Sequence, residues 1–209
     1  MGRQCNPRQR PCQLSWAQSG LLAFVVFCAP GVFASNPTLA PLSEAVRAKL
    51  AEGFLRVSGE QSMEDFALLQ SSYRERRYTT LWTSDDGVTA RGVTLANALS
   101  NLTEQGLQPQ DYASSRIGAL LSTKQLSALA ELEVRLSLGL ISAASDLASG
   151  RVAPASTSKN IFIHPQDVDK RKVLRLALNA GDPNALLNQY EPSQPNYTRL
   201  KAMLARYRG

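Results

Sequence analysis

Cys5, Cys12, Cys28 and His164 are the whole supply of thiol and imidazole in this chain. A thiolate nucleophile needs a cysteine and, ordinarily, a histidine to take or balance its proton. A zinc site needs several such ligands at short spacing. Only Asp167 and Asp169 lie near His164 in sequence, so its imidazole reads as a polar loop residue and no metal site is expected. Carboxylates offer a second chemistry, because a pair held several ångströms apart can cleave a glycosidic bond. Glu131 and Glu133, however, are two apart on a predicted helix and so point in different directions. Asp85 and Asp86 sit in a predicted turn, while Glu64 and Asp65 fit the first turn of a helix, where the dipole favours negative charge. Every pair has a structural explanation, so no catalytic residue and no cofactor is assigned.

The cysteines fall together in a segment that reads as a removable secretory leader. Arg3, Arg8 and Arg10 give it a basic start, no acid precedes Glu44, and residues 21–29 are apolar. Val32, Phe33 and Ala34 then place small side chains at the two positions a signal peptidase inspects, and cleavage is expected after Ala34. The apolar run is too short for a hydrocarbon core that needs roughly 20 residues, so no transmembrane anchor is expected after cleavage. Phe27, preceding Cys28, argues against a lipoprotein. The expected mature chain has 175 of the 209 residues, enough for one domain with a real core, and carries neither thiol nor disulfide. Its formal charge falls from +6 to +3 with the three leader arginines. From Asp169 onward eight basic residues face three acids, a balance that reads first as a solvated helix face. Such an end could also meet anionic lipid, an anionic glycan or a partner domain; nucleic acid is not an expected partner.

The expected fold is all-α, one compact multi-helix domain with one long central helix and one short extended segment. Ser43 is a suitable N-cap for a helix carrying Val46, Leu50, Phe54 and Val57, and Ser62 with Asp65 resembles a capping box ahead of Met63, Phe66, Leu69 and Tyr73. Residues 78–82 are β-branched and aromatic, and they run into a turn from Ser84 to Gly87. Thr89 caps a helix with Val93, Leu95, Ala96, Leu99 and Leu102, and Gly106 stands where a left-handed C-terminal residue is wanted. Short helices follow Pro109. The longest periodic stretch starts near Thr123 and runs to Gly150, with Leu138 widening its apolar face as in a helix surrounded by others. Residues 151–166 read as irregular. Three short helices follow: 168–179, one opened by Asp182 and Pro183, and one opened by Pro195 and closed by Gly209.

Four strings in order carry a resemblance: Tyr73 to Thr83 (YRERRYTTLWT), Gly106 to Tyr112 (GLQPQDY), Asp146 to Pro154 (DLASGRVAP), and Glu191 to Tyr197 (EPSQPNY) continuing through Leu200 to Tyr207 and Arg208. Over about residues 62–208 the chain resembles the helical scaffold domain of the large periplasmic murein L,D-transpeptidases. Gln108 and Ala153 stand where aspartate is common in that pattern. In the family this scaffold precedes or wraps a peptidoglycan-binding module and a catalytic domain with an essential cysteine and histidine. The resemblance implies a bacterial periplasmic protein organised as leader 1–34, N-terminal helical segment 35–61 and scaffold domain 62–209. Under that reading Asn101 and Asn196, each followed two residues later by Ser or Thr, are not glycan acceptors.

Without a mature thiol, a thioester mechanism is chemically closed, and the expectation is a non-catalytic scaffold or accessory module of peptidoglycan cross-link remodelling. Its partner would be a cell-wall protein such as a transpeptidase catalytic domain. The alternatives are a module that binds murein glycan or stem peptide, or a truncated remnant of a transpeptidase. Binding, if direct, is expected at Trp82, Tyr112 and Arg151. The competing reading makes the aromatic residues buried anchors and pairs Arg151 with a carboxylate or with the carbonyls that end the long helix.

Overall fold

The apolar stretch that follows Gln125 folds as a 24-residue helix, Leu126–Ser149, against which nearly every other element finds something to bury. The computed structural model describes residues 39–53, 63–151 and 167–208. In chain order these form α1 (Pro41–Ala51), α2 (Met63–Glu75), the two-residue strands β1 (Thr83–Ser84) and β2 (Gly87–Val88), and α3 (Ala90–Ser100). Two 3-10 turns, Asn101–Gln105 and Pro109–Tyr112, lead to α4 (Ser114–Leu120). Then come the long helix α5, α6 (Lys170–Asn179), α7 (Pro183–Asn188) and α8 (Pro195–Arg208). Among the described residues, no helix is long and apolar enough to cross a membrane.

The all-α class with one long central helix holds, and the local signals that start and stop helices act as their chemistry dictates. The Thr89 side chain accepts from Gly92 N–H at 3.2 Å, Asp169 from Lys172 N–H at 2.9 Å, and Asp182 from Asn184 N–H at 2.9 Å. Gly106 takes the left-handed conformation (φ 80°) that ends the first 3-10 turn, a geometry a β-carbon would strain. Two starts differ from the sequence reading. α1 begins at Pro41 with Ala40 as its cap, so Ser43 lies inside the helix; proline's fixed φ suits the first helical position and needs no N–H there. α5 begins at Leu126 rather than near Thr123, whose hydroxyl instead accepts from Gln125 N–H at 3.3 Å.

The extended segment also sits later than residues 78–82. The strands are a minimal antiparallel hairpin pairing Thr83 with Val88 and Ser84 with Gly87, turned by Asp85 and Asp86. Upstream, the N–H groups of Leu81 and Trp82 are taken by a carboxylate, so no ladder forms there. Phe54, Val57, Ser62, Pro154, His164, the three cysteines and the leader lie outside the described residues.

Two apolar clusters flank α5. Leu132, Leu136, Leu140, Ala144 and Leu147 pack with Trp82, Leu95, Leu99, Tyr112, Ile117, Val173 and Leu186. Ala130, Val134, Leu138 and Ile141 pack with Val46 and Leu50 of α1 and Phe66, Leu69 and Tyr73 of α2. Leu138 thus widens the apolar face toward a second layer, whereas Met63 and Val93, read as stripe residues, are exposed.

α3 enters this packing at very close range. Trp82 O accepts from both Thr89 N–H and Thr89 Oγ1–H, each at 2.8 Å, which pulls the helix start onto the hairpin. A β-carbon on Gly92 would stand 2.4 Å from that carbonyl oxygen, a backbone atom that cannot turn away. Gly92→Ala should therefore lower stability by about 1–3 kcal/mol despite alanine's better helix propensity. A urea midpoint shifted down with an unchanged slope would register it.

Candidate functional site

Glu133 occupies an inward position in the middle of α5, between Leu132 and Val134, and is completely buried. Its carboxylate gathers five donors. Oε1 accepts from Tyr73 Oη–H at 2.6 Å and Leu81 N–H at 2.5 Å. Oε2 accepts from Trp82 N–H and Thr83 N–H, each at 2.9 Å, and from Thr83 Oγ1–H at 2.8 Å. Three consecutive backbone N–H groups thus curl around one anion, the concave arrangement that suits negative charge. One turn further along α5, Ser137 Oγ lies 2.8 Å from Tyr73 Oη and accepts from Trp82 Nε1–H at 2.9 Å. Tyr73 spends its single proton on Glu133, so Ser137 donates to Tyr73. Burial and the adjacent Glu133 charge hold the Tyr73 phenol well above its usual range, so it stays neutral and donating. Arg76 stacks over the Tyr73 ring, 3.7 Å from its centre, and Arg91 stands 5.5 Å from the Trp82 ring while donating to Ala177 O.

The remaining polar contacts are joints between segments far apart in sequence. Tyr112 Oη–H donates to Asp146 at 2.7 Å, and Asp111 pairs with Arg151, so the 106–112 string is tied to the end of α5. Burial raises the Asp146 carboxyl against the lowering influence of Tyr112 and Lys170. Lys170 itself donates to Asp65 at 2.6 Å, joining α6 to α2. Gln105 donates to Glu191 at 2.5 Å and accepts from Tyr197 Oη–H at 2.8 Å, while Lys201 donates to the other Glu191 oxygen at 3.1 Å. Arg208 donates to Thr103 O. These contacts hold α8 to the turn that follows α3.

Glu131 and Glu133 are separated as their spacing requires. Glu131 faces outward, bridged bidentately by Arg116 at 2.8 and 2.9 Å and by Arg135 at 2.8 Å. The Arg116 bonds hold its carboxyl down at about 2, against burial. Asp85, Asp86 and Glu64 are exposed, and Asp65 is buried against Lys170. Among the described residues, no group of His, Cys, Asp and Glu is arranged to hold a metal ion.

Trp82 and Tyr112, named as possible binding residues, are inside the protein at 0% and 1% exposure, and neither ring presents a face to solvent. Arg151 is exposed and engaged with Asp111. The structure does not bring these three into one groove. Weighed only as half of a catalytic pair, Glu133 has a role as a buried anchor that the sequence reading does not reach. The signal is an acid flanked by leucine and valine on the most apolar helix, with Ser137 four residues on along the same face.

A family model described as the scaffold domain matches residues 67–204. The chain belongs to that family. No curated protein and no solved structure matches it. The scaffold domain match begins inside α2 and ends inside α8, enclosing the Glu133 cluster and nearly all the joints above. α1 falls before it, although Val46 and Leu50 of α1 close one side of the core.

Two measurements test this electrostatic frame. Glu133→Gln replaces one oxygen by an NH2 group facing donors, and should cost roughly 3 kcal/mol in denaturant unfolding, whereas Glu131→Gln, at a site with one exposed arginine partner, should cost less. Glu131 is depressed from 4.5 to about 2, so its contribution is fully present above pH 4.5 and is lost as pH falls toward 2. Stability of the native protein should fall across that window more steeply than that of Glu131→Gln, as followed by thermal unfolding at stepped pH.

Proposed function

We propose that this scaffold domain works without catalysis in the bacterial periplasm, docking a cell-wall protein such as the catalytic domain of an L,D-transpeptidase and positioning it for peptidoglycan cross-link remodelling. The observation that carries the reading is the outer face of α8. This helix buries no residue completely, and Leu200, Met203 and Tyr207 stand 65%, 49% and 84% exposed along one side of it. The spacing of three and four residues places them in a single stripe. Arg199 and Arg206 flank the stripe, and the helix contains no acid. Tyr197, Lys201 and Arg208 meanwhile bond toward the body of the domain. An apolar stripe edged by arginine on an otherwise anchored helix is the form of a protein-docking surface.

The rest of the site agrees with holding rather than reacting. Glu131, Glu133, Asp65, Asp111 and Asp146 are all engaged in joints or anchors. Among the described residues of the four strings that carry the resemblance to murein L,D-transpeptidases, the first is bonded to α5, the second to the third, and the fourth to the turn that follows α3. A glycan-binding module built on Trp82 and Tyr112 has no support, since both rings are enclosed.

In-cell cross-linking tests the proposal. The native chain should capture a peptidoglycan cross-linking enzyme, identified by mass spectrometry, and its deletion should change the cross-link composition of the wall. Leu200→Ser combined with Met203→Ser and Tyr207→Ser should abolish capture while leaving the helical circular dichroism of the purified protein unchanged. Unaltered capture by the variant, or an unchanged wall after deletion, would count decisively against docking through α8.

A further inference from the structure

We infer that the cleft between the turn after α3 and helix α7 is a binding site for a short uncharged saccharide. The cleft has a volume of about 410 Å³, within the roughly 300–1,000 Å³ of small-ligand sites. Its lining is mostly polar, and Leu102, Leu147 and Leu187 lie buried beneath it. Asn101 stands on one side of it and Asn184 and Asn188 on the other, with Gln105, Glu191 and Lys201 completing the rim.

The three asparagines are the unusual feature. Asparagine is favoured where the backbone turns left-handed or a helix must be capped. None of the three is left-handed, and although Asn101 is the C-cap of α3, its side chain makes no capping bond. Asn101 has φ −88°, Asn184 and Asn188 are helical, and the cap of α7 is Asp182. All three are exposed, and their side-chain amides take no part in the bonds that link Gln105, Glu191, Tyr197 and Lys201. Asn184 and Asn188, four apart, share one helix face. Each amide offers two donors and two acceptor positions, so together they present both polarities to the cleft.

Charge narrows the ligand. The one cation of the rim, Lys201, is bound to Glu191, which leaves Glu104 as the unbalanced charge. An anion is therefore not drawn in. An extended peptide is recognised through a sheet edge or a row of backbone groups, whereas this cleft is walled by helices and a 3-10 turn that present side chains. Hydroxyl-rich sugar rings satisfy the conditions, with hydroxyls or an acetamido group on the amides.

Titration of the purified chain, followed by amide NMR and calorimetry, tests the assignment with chitotetraose, maltotetraose and tetra-alanine as probes. The expected result is saturable binding of at least one saccharide, with shifts at Asn101, Asn184 and Asn188. Affinity should fall roughly tenfold or more in the double variant Asn184→Ala, Asn188→Ala, from the loss of two hydrogen-bonding amides. That variant places better helix formers at exposed positions and should unfold at or above the native midpoint. Asn101→Asp, which removes donors without changing shape, should also weaken binding. Failure of both saccharides to bind, binding of tetra-alanine alone, or saccharide binding untouched by the variants would each overturn the assignment.

Discussion

A carboxylate in the centre of an apolar helix has to be compensated, and the layout of this domain follows from how Glu133 is. Taking such a group out of water costs several kcal/mol even after relaxation. The offset comes from five hydrogen bonds, each worth about 1.5–3 kcal/mol when the acceptor is charged. Four of the five come from one short stretch, Leu81 to Thr83, which lies where it does because the anion does. Arg77 and Tyr78, just upstream, both adopt left-handed backbone (φ 53° and 58°). That conformation costs non-glycine residues about 1–2 kcal/mol each. The reversal it creates brings the chain back from α2 onto the carboxylate, where the bonds formed outweigh the strain.

Everything downstream inherits this placement. Trp82 is fixed by its N–H on Glu133 and its indole on Ser137, and its carbonyl then receives Thr89 and sets the start of α3. α3 approaches α5 so closely that a β-carbon on Gly139 would lie 2.7 Å from a Leu99 methyl. From there the Tyr112–Asp146 and Asp111–Arg151 joints lock the following turn to the far end of the same helix. Residues of the scaffold-domain match are thus the contacts by which distant segments fix one another. Their shared role is geometric.

Much of this was legible beforehand because its causes are local. Thr89, Asp169 and Asp182 cap helices through hydrogen bonds spanning two or three residues, and the alternation of leucines along α5 announces its burial directly. Ser43 reads as a cap because a hydroxyl is a familiar one, but the fixed φ of Pro41 decides where α1 starts. The extended segment was placed too early because Tyr78 to Trp82 has strand-like residue types. Its N–H groups answer to an acid more than fifty residues away, which no local propensity records. The same distance hid the role of Glu133 and left Trp82 and Tyr112 balanced between surface and core. Tyr112 is enclosed by Asp146, thirty-four residues on, and only the fold brings the two together.

The balance of forces differs at α8, and the difference is what makes the helix suited to association. α5 is held by deep apolar contact on two sides, whereas α8 has no fully buried residue and leans on polar contacts: Tyr197 with Gln105, Lys201 with Glu191, and Arg208 with Thr103. Partly exposed pairs of this kind contribute about 0–1 kcal/mol each. Covering Leu200, Met203 and Tyr207 would contribute about 1.5–3 kcal/mol for each side chain fully buried. A cover on the outer stripe would therefore add apolar burial that these polar joints do not supply. The polar joints have a different use: they fix which face turns inward, so that the stripe is already assembled and oriented before anything meets it, and little ordering entropy opposes the encounter.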